Sequence, residues 1–266
     1  MSTRNVPALL AHRRWWFCTQ PFPHVRATDV FAPGFYGEME DSIRGLLRNG
    51  LAEQSDGSRL SRMSSYDAFV WTLPPDTGGA LGLFHDQDWH DLLARLIGVE
   101  ATGDVNCAVH HHRPGADHGR IHCDLGVGWF PGATPSGTVT PSDPARCSYR
   151  YGDVRQAGEP VHEAVRAVTM IFYAANAPWA PGDGGETGLY LPGQSAVTAP
   201  AVRVPPLNNS LLVFENTPRA RHAFVANQRS PRNSVILWLH RPVEQARLLF
   251  GQGELFRWPR PRDSAG

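Results

Sequence analysis

His122-Cys123-Asp124, joined far downstream by His222, constrains this chain more than any other feature. Three metal-ligating side chains from two distant segments require a fold that brings the chain back to its own site. Residues i and i+2 of a strand share a face. A strand predicted over 120–124 would therefore aim His122 and Asp124 at one ion. Two imidazoles and a carboxylate form the donor set that holds non-haem iron(II) with positions left open. His222 lies in another strand-like stretch, and beyond it Arg232 and Ser234 alternate on a strand that continues Val235-Ile236-Leu237-Trp238. Such a strand is buried, a buried guanidinium needs an anionic partner, and the guanidinium fork suits a carboxylate. A surface ion pair is the competing reading for Arg232.

From Val105 onward the texture is one of short β segments with Gly and Pro turns. Strands are predicted at 105–112, 120–124, 166–174, 186–191, 200–204, 210–215, 222–227 and 233–240. That order fits a mainly β jelly roll with flanking N-terminal helices. One helix is predicted from Pro33 to Asn49, with Phe35, Met39, Ile43, Leu46 and Leu47 on one face and Gly50 as its stop. A second is predicted from Asp88, as N-cap, to Ile97, ended by Gly98. The division is one domain over 1–266: a support region 1–104, a core 105–242 and a C-terminal tail 243–266, loose after Trp258. Residues 130–165, rich in Pro, Gly, Ser and Thr, form a long loop directly after the histidine–aspartate pair and are expected to act as a lid.

The 25 acidic and 25 basic residues cancel, which favours neither nucleic acid nor an anionic membrane surface. Every basic residue is Arg, so Schiff-base chemistry is excluded and an anionic ligand must be met by Arg. Cys18, Cys107, Cys123 and Cys147 show no paired spacing, so reduced thiols and a cytoplasmic setting are expected. Neither a signal peptide nor a membrane span is apparent.

His110-His111-His112 cannot converge on one ion, because consecutive strand residues point to opposite faces. His110 and His112 are expected inward. Arg120, two residues before His122, would line the pocket if the strand reached it; a solvated Arg is the alternative.

Taken together, the HxD pair, the distal His222, Arg232-Asn233-Ser234, the segment Gly184-Gly185-Glu186-Thr187 and the strand Arg166–Tyr173 resemble the iron(II)/2-oxoglutarate-dependent oxygenases, prolyl 4-hydroxylase-like branch. The resemblance spans roughly residues 106–242. It implies a double-stranded β-helix of cupin-like type, with Fe(II) on His122, Asp124 and His222, and with 2-oxoglutarate and O2 as co-reactants. It implies that Arg232 and Ser234 anchor the cosubstrate, and it assigns Tyr173 to the same site, with a core aromatic as the alternative. His112-Arg113-Pro114-Gly115 stands where the family has Tyr-x-x-Gly, which places His112 near the cosubstrate. Gly184-Gly185 is read as a turn. Arg120, Trp129 and Trp238 are the candidate substrate contacts, Trp238 with a purely packing alternative.

Because Asp124 is present, hydroxylation is implied rather than halogenation. The expected function is hydroxylation of an unactivated C–H bond in a small molecule, a free amino acid or a specialised-metabolite intermediate, with release of succinate and CO2. The alternatives are a prolyl hydroxylase acting on a peptide or protein, and a non-enzymatic β-sandwich that binds a ligand.

Overall fold

The computed structural model describes residues 4–12, 14–54, 57–63, 66–135, 138–142, 146–149 and 160–258. In the N-terminal region, α1 (Val6–Leu9), β1 (Trp16–Cys18) and β2 (His24–Ala27) lead to α2 (Pro33–Arg48), followed by β3 (Leu51–Ala52), β4 (Leu60–Arg62), β5 (Phe69–Thr72) and α3 (Gln87–Ile97). Pro33 opens α2, where its missing N–H costs nothing, and Met39 and Ile43 are its fully buried residues. The N-cap of α3 is Asp86 rather than Asp88, which sits in the first turn beside the positive helix end. Gly98 closes α3 in the left-handed region, φ 76°.

The remaining strands are β6 (Asp104–His112), β7 (Val127–Pro131), β8 (Thr140–Pro141), β9 (Val161–Tyr173), β10 (Thr187–Tyr190), β11 (Val202–Val204), β12 (Ser210–Glu215), β13 (Arg221–Phe224) and β14 (Arg232–Pro242), followed by α4 (Val243–Phe250). The major sheet runs β1-β2-β12-β9-β14-β6-β5-β4-β3, with β7 on β9 and β8 on β6. The minor sheet runs β11-β10-β13. On β9, successive residues serve different cores. Phe172 packs with Phe31, Met39, Trp89 and Leu93 on the helix side, whereas Ile171 and Tyr173 pack with Leu189, Val204 and Phe214 of the other cluster. Each such side chain fully buried stabilises the fold by about 1.5–3 kcal/mol.

Several expectations are corrected. Residues 120–124 form no strand; His122 and His222 meet only in an isolated bridge, with reciprocal N–H···O contacts of 3.1 and 2.9 Å. Strand β9 starts at Val161, and β7 occupies Val127–Pro131, so the insertion between them is shorter than 130–165. Its described parts are docked: β8 lies parallel to the start of β6, and Ser148 bridges Trp129. Arg150 and Tyr151 of the expected lid lie outside the described residues. The expected tail contains α4, and Phe256 bridges Gly126. Among the described residues no helix is long and apolar enough to cross a membrane.

Candidate metal centre

Cross-strand register assembles the site. Strand β14 pairs with β6 so that Arg232 faces His112 and Ser234 faces His110, and with β9 so that Ser234 faces Tyr173 and Trp238 faces Thr169. Alternation puts Asn233 and His111 on the opposite face. There the His111 ring and the Asn233 amide oxygen are 2.7 Å apart, and Asn233 Nδ2 donates to the Ala175 carbonyl at 2.7 Å. The His-His-His run is thus split between two faces, as alternation requires.

At one end of this face, His122, Asp124 and His222 present ligand atoms that all lie within 4.8 Å of one another. The chain does this without a strand at 120–124. Each imidazole instead donates Nδ1–H to the carbonyl two residues back: His122 to Arg120 at 2.8 Å, His222 to Ala220 at 3.1 Å. Both Nε2 lone pairs are thereby left for an ion, the orientation metal-binding histidines adopt. Burial would raise the Asp124 pKa, but the Arg166 guanidinium and His122 hold it well below the usual carboxylate range. Burial and the neighbouring His122 push His222 down to about 4. For His122 burial lowers the pKa, but the hydrogen bond and charge of Asp124 outweigh it and raise it. An ionised carboxylate and imidazoles whose Nε2 can lose its proton suit a divalent cation, whose binding would displace that proton.

Asp124 is held by residues absent from the motif. Arg166 Nη1 donates to Oδ1 at 3.1 Å, and Trp238 Nε1 donates to Oδ2 at 2.7 Å. Thr169 Oγ1 lies 3.1 Å from Oδ2 and 2.8 Å from Asn216 Oδ1, with one proton for the two. Turning the Asn216 amide would put its Nδ2, otherwise buried without a partner, on Thr169 and free the hydroxyl proton for Asp124. The Arg166 guanidinium is sandwiched between Trp238, at 3.9 Å, and Tyr149, at 4.3 Å. Trp238, expected as a substrate contact, therefore spends its N–H on the aspartate. Trp129, also expected as a substrate contact, lies under the Arg257 guanidinium at 4.4 Å, on the β7 face turned toward α4. The Arg120 side chain is exposed, and its carbonyl is what serves the site.

Deeper along the face is a pocket of unpaired polar atoms. Arg232 is 4% exposed. One Nη donates to Thr187 Oγ1 at 3.1 Å, its Nε has no partner, and among the described residues no carboxylate pairs with it. Ser234 Oγ is likewise buried and unpaired. Tyr173 hydroxyl and Thr187 Oγ1 are 2.6 Å apart. Thr187 was missed because Gly184-Gly185-Glu186-Thr187 was read only as a turn. The turn is real: Gly184 has φ +76°, and a Cβ there would lie 2.0 Å from the Ala226 carbonyl oxygen. It delivers Thr187 to the guanidinium. His112 stacks on Phe224 at 3.8 Å and gives its Nδ1–H to the Asp67 carbonyl at 3.0 Å. Burial, then Arg232, holds its pKa well below normal. His112 is thus a neutral ring whose pocket-side Nε2 only accepts hydrogen bonds, unlike the tyrosine donor of the resemblance.

Two imidazoles and a carboxylate so placed are the donor set of the 2-oxoglutarate- and iron(II)-dependent oxygenases, whose co-reactants are Fe(II), 2-oxoglutarate and O2. Residues 145–240 match the 2OG-Fe(II) oxygenase superfamily, a segment that holds His222 and Arg232 and begins after Asp124. The fold is similar to that of a Pseudomonas putida prolyl-4-hydroxylase, with TM-score 0.52 and 17% identity over 82% of this chain and 92% of that one. It is similar to a Phytophthora capsici prolyl 4-hydroxylase, with TM-score 0.52 and 19% identity over 87% and 66%. It is also similar to a Trichoplax adhaerens prolyl hydroxylase solved with a hypoxia inducible factor peptide fragment, with TM-score 0.52 and 17% identity over 85% and 86%. No curated protein sequence matches the chain. The double-stranded β-helix and the oxygenase class expected from the sequence are borne out, and the non-enzymatic reading is set aside.

Proposed function

We propose that this chain is an Fe(II)/2-oxoglutarate-dependent hydroxylase in which His122, Asp124 and His222 hold the metal. The carrying observation is the convergence of their ligand atoms, with both imidazole Nδ1 protons committed to backbone carbonyls. Arg232, buried without an acid, takes the far carboxylate of 2-oxoglutarate, helped by Ser234, Tyr173 and Thr187. Bound there, the metal and cosubstrate supply the oxidising chemistry, with succinate and CO2 released. The protein orients the ligands, keeps Asp124 ionised and lines the cavity with rings and neutral imidazoles.

For the substrate, a small molecule of amino-acid type is supported by the insertion between β7 and β9, whose described parts dock at the metal-bearing end. The fold relatives favour a second reading, a prolyl residue in a peptide. The four free cysteines support a reducing, cytoplasmic setting. The test is succinate formation from 2-oxoglutarate under air with Fe(II), with free amino acids and proline-containing peptides as competing substrates. His222→Ala should abolish it; retained turnover in that variant would refute the metal assignment.

A further inference from the structure

Tyr66 is contributed by the N-terminal support region, just before β5, and no motif points to it. Its ring stands edge-on to His112, centroids 5.3 Å apart at 86°. It lies against Gly119, where a Cβ would come within 2.9 Å of both the ring and the hydroxyl oxygen. Gly119 is thus the close-approach residue that lets the phenol in between β6 and the segment leading to His122. Its ring lies between His112, which pairs with Arg232 across β6 and β14, and Gly119, three residues before His122, and the charges of Arg232 and Asp124 both act on its hydroxyl. Burial pushes its pKa up, so it stays a protonated donor. Among the described residues it has no hydrogen-bond partner. His112 beside it offers only an acceptor, and an anionic ligand bound between metal and guanidinium needs donors.

We propose that Tyr66 is a cosubstrate-binding residue: its hydroxyl donates a hydrogen bond to 2-oxoglutarate, so the site is completed from outside the β-helix core. The inference rests on the 2-oxoglutarate reading above. The experiment is calorimetric titration of 2-oxoglutarate into the Mn(II)-loaded full-length protein, which reads binding without turnover. Tyr66→Phe keeps the ring against Gly119 and His112, and should weaken 2-oxoglutarate binding roughly tenfold while leaving Mn(II) affinity unchanged. Arg232→Ala is the control. If Arg232→Ala weakens binding and Tyr66→Phe does not, the Tyr66 assignment is overturned and the cosubstrate site stands. If the wild-type protein binds no 2-oxoglutarate, the broader reading fails, and this inference with it. Equal loss of Mn(II) affinity in Tyr66→Phe would also overturn it, as the mark of a structural role.

Discussion

Asp124 shows how a single carboxylate is shaped for one task. The two lone-pair positions of Oδ2 face Trp238 Nε1 and Thr169 Oγ1, while of the three residues that fix the carboxylate only Arg166 reaches Oδ1. The other position on Oδ1 lies toward His122 Nε2, 3.5 Å away, where an ion would displace the imidazole proton, so Oδ1 is the oxygen expected to meet the ion. Trp238→Phe keeps an aromatic ring under Arg166 but removes the donor. Metal affinity should fall roughly 10–100-fold, the usual consequence of losing a partner that orients a ligand. Competition with a chelator under anaerobic conditions measures this. An unaltered affinity would show that the indole N–H contributes only packing.

At the scale of elements, strand register places the chemistry, and the insertion before β9 is tied into it. The Tyr149 hydroxyl and His240 Nε2 are 2.5 Å apart, while His240 Nδ1 donates to the Asp104 carbonyl at 2.8 Å. His240 Nε2 is therefore the acceptor and Tyr149 the donor. Asp104 also meets His162 at 2.8 Å and Thr102 at 2.9 Å, joining the start of β6 to the start of β9. Tyr149→Phe would leave His240 Nε2 buried without a donor, at a cost of about 1–3 kcal/mol. The urea midpoint should drop, with metal affinity little changed because the ring still stacks on Arg166. A midpoint equal to wild type would mean that the segment docks by its backbone and the Phe130 and Cys147 contacts alone.

For the whole molecule, buried histidines couple folding to pH. Burial pushes His85 down to about 4 and His110 and His240 down to about 3. A histidine with a depressed folded-state pKa binds its proton more readily when unfolded. Its contribution is complete above the unfolded value of about 6.5 and is lost as pH falls below it. Each such group costs about 1.4 kcal/mol per pH unit in that window, roughly 4 kcal/mol for the three together. His122, whose pKa is raised, opposes this: its contribution is present below about 6.5 and fades as pH rises through its folded value. Urea unfolding of the metal-free protein should show a falling midpoint from pH 6.5 to 4.5. A flat profile would mean that these histidines are relieved by local opening.

The ligand set, the anionic-ligand arginine and most core strands were legible in the sequence because they are local patterns. HxD spacing, alternation on Arg232-Asn233-Ser234 and apolar runs bounded by Gly and Pro are each read within a few residues. The helix faces were legible for the same reason. What folding alone decided is long-range. Residues 120–124 looked like a strand, yet the pair is held by imidazole-to-carbonyl bonds and one bridge to His222. Arg166 and Thr169 of β9, Thr187 of β10 and Tyr66 before β5 reach the site from three separate segments, and no spacing rule links them to Asp124 or Arg232. The short strands β1 to β5 carry too few residues for a period to show, and exist because β2 and β5 find edges on β12 and β6. Trp238 read equally as substrate contact or core until register set it opposite Thr169 and its N–H on Asp124. A sequence fixes which groups are available and which face they share. Only the packed sheets fix which donor meets which acceptor, because those pairings join residues far apart along the chain.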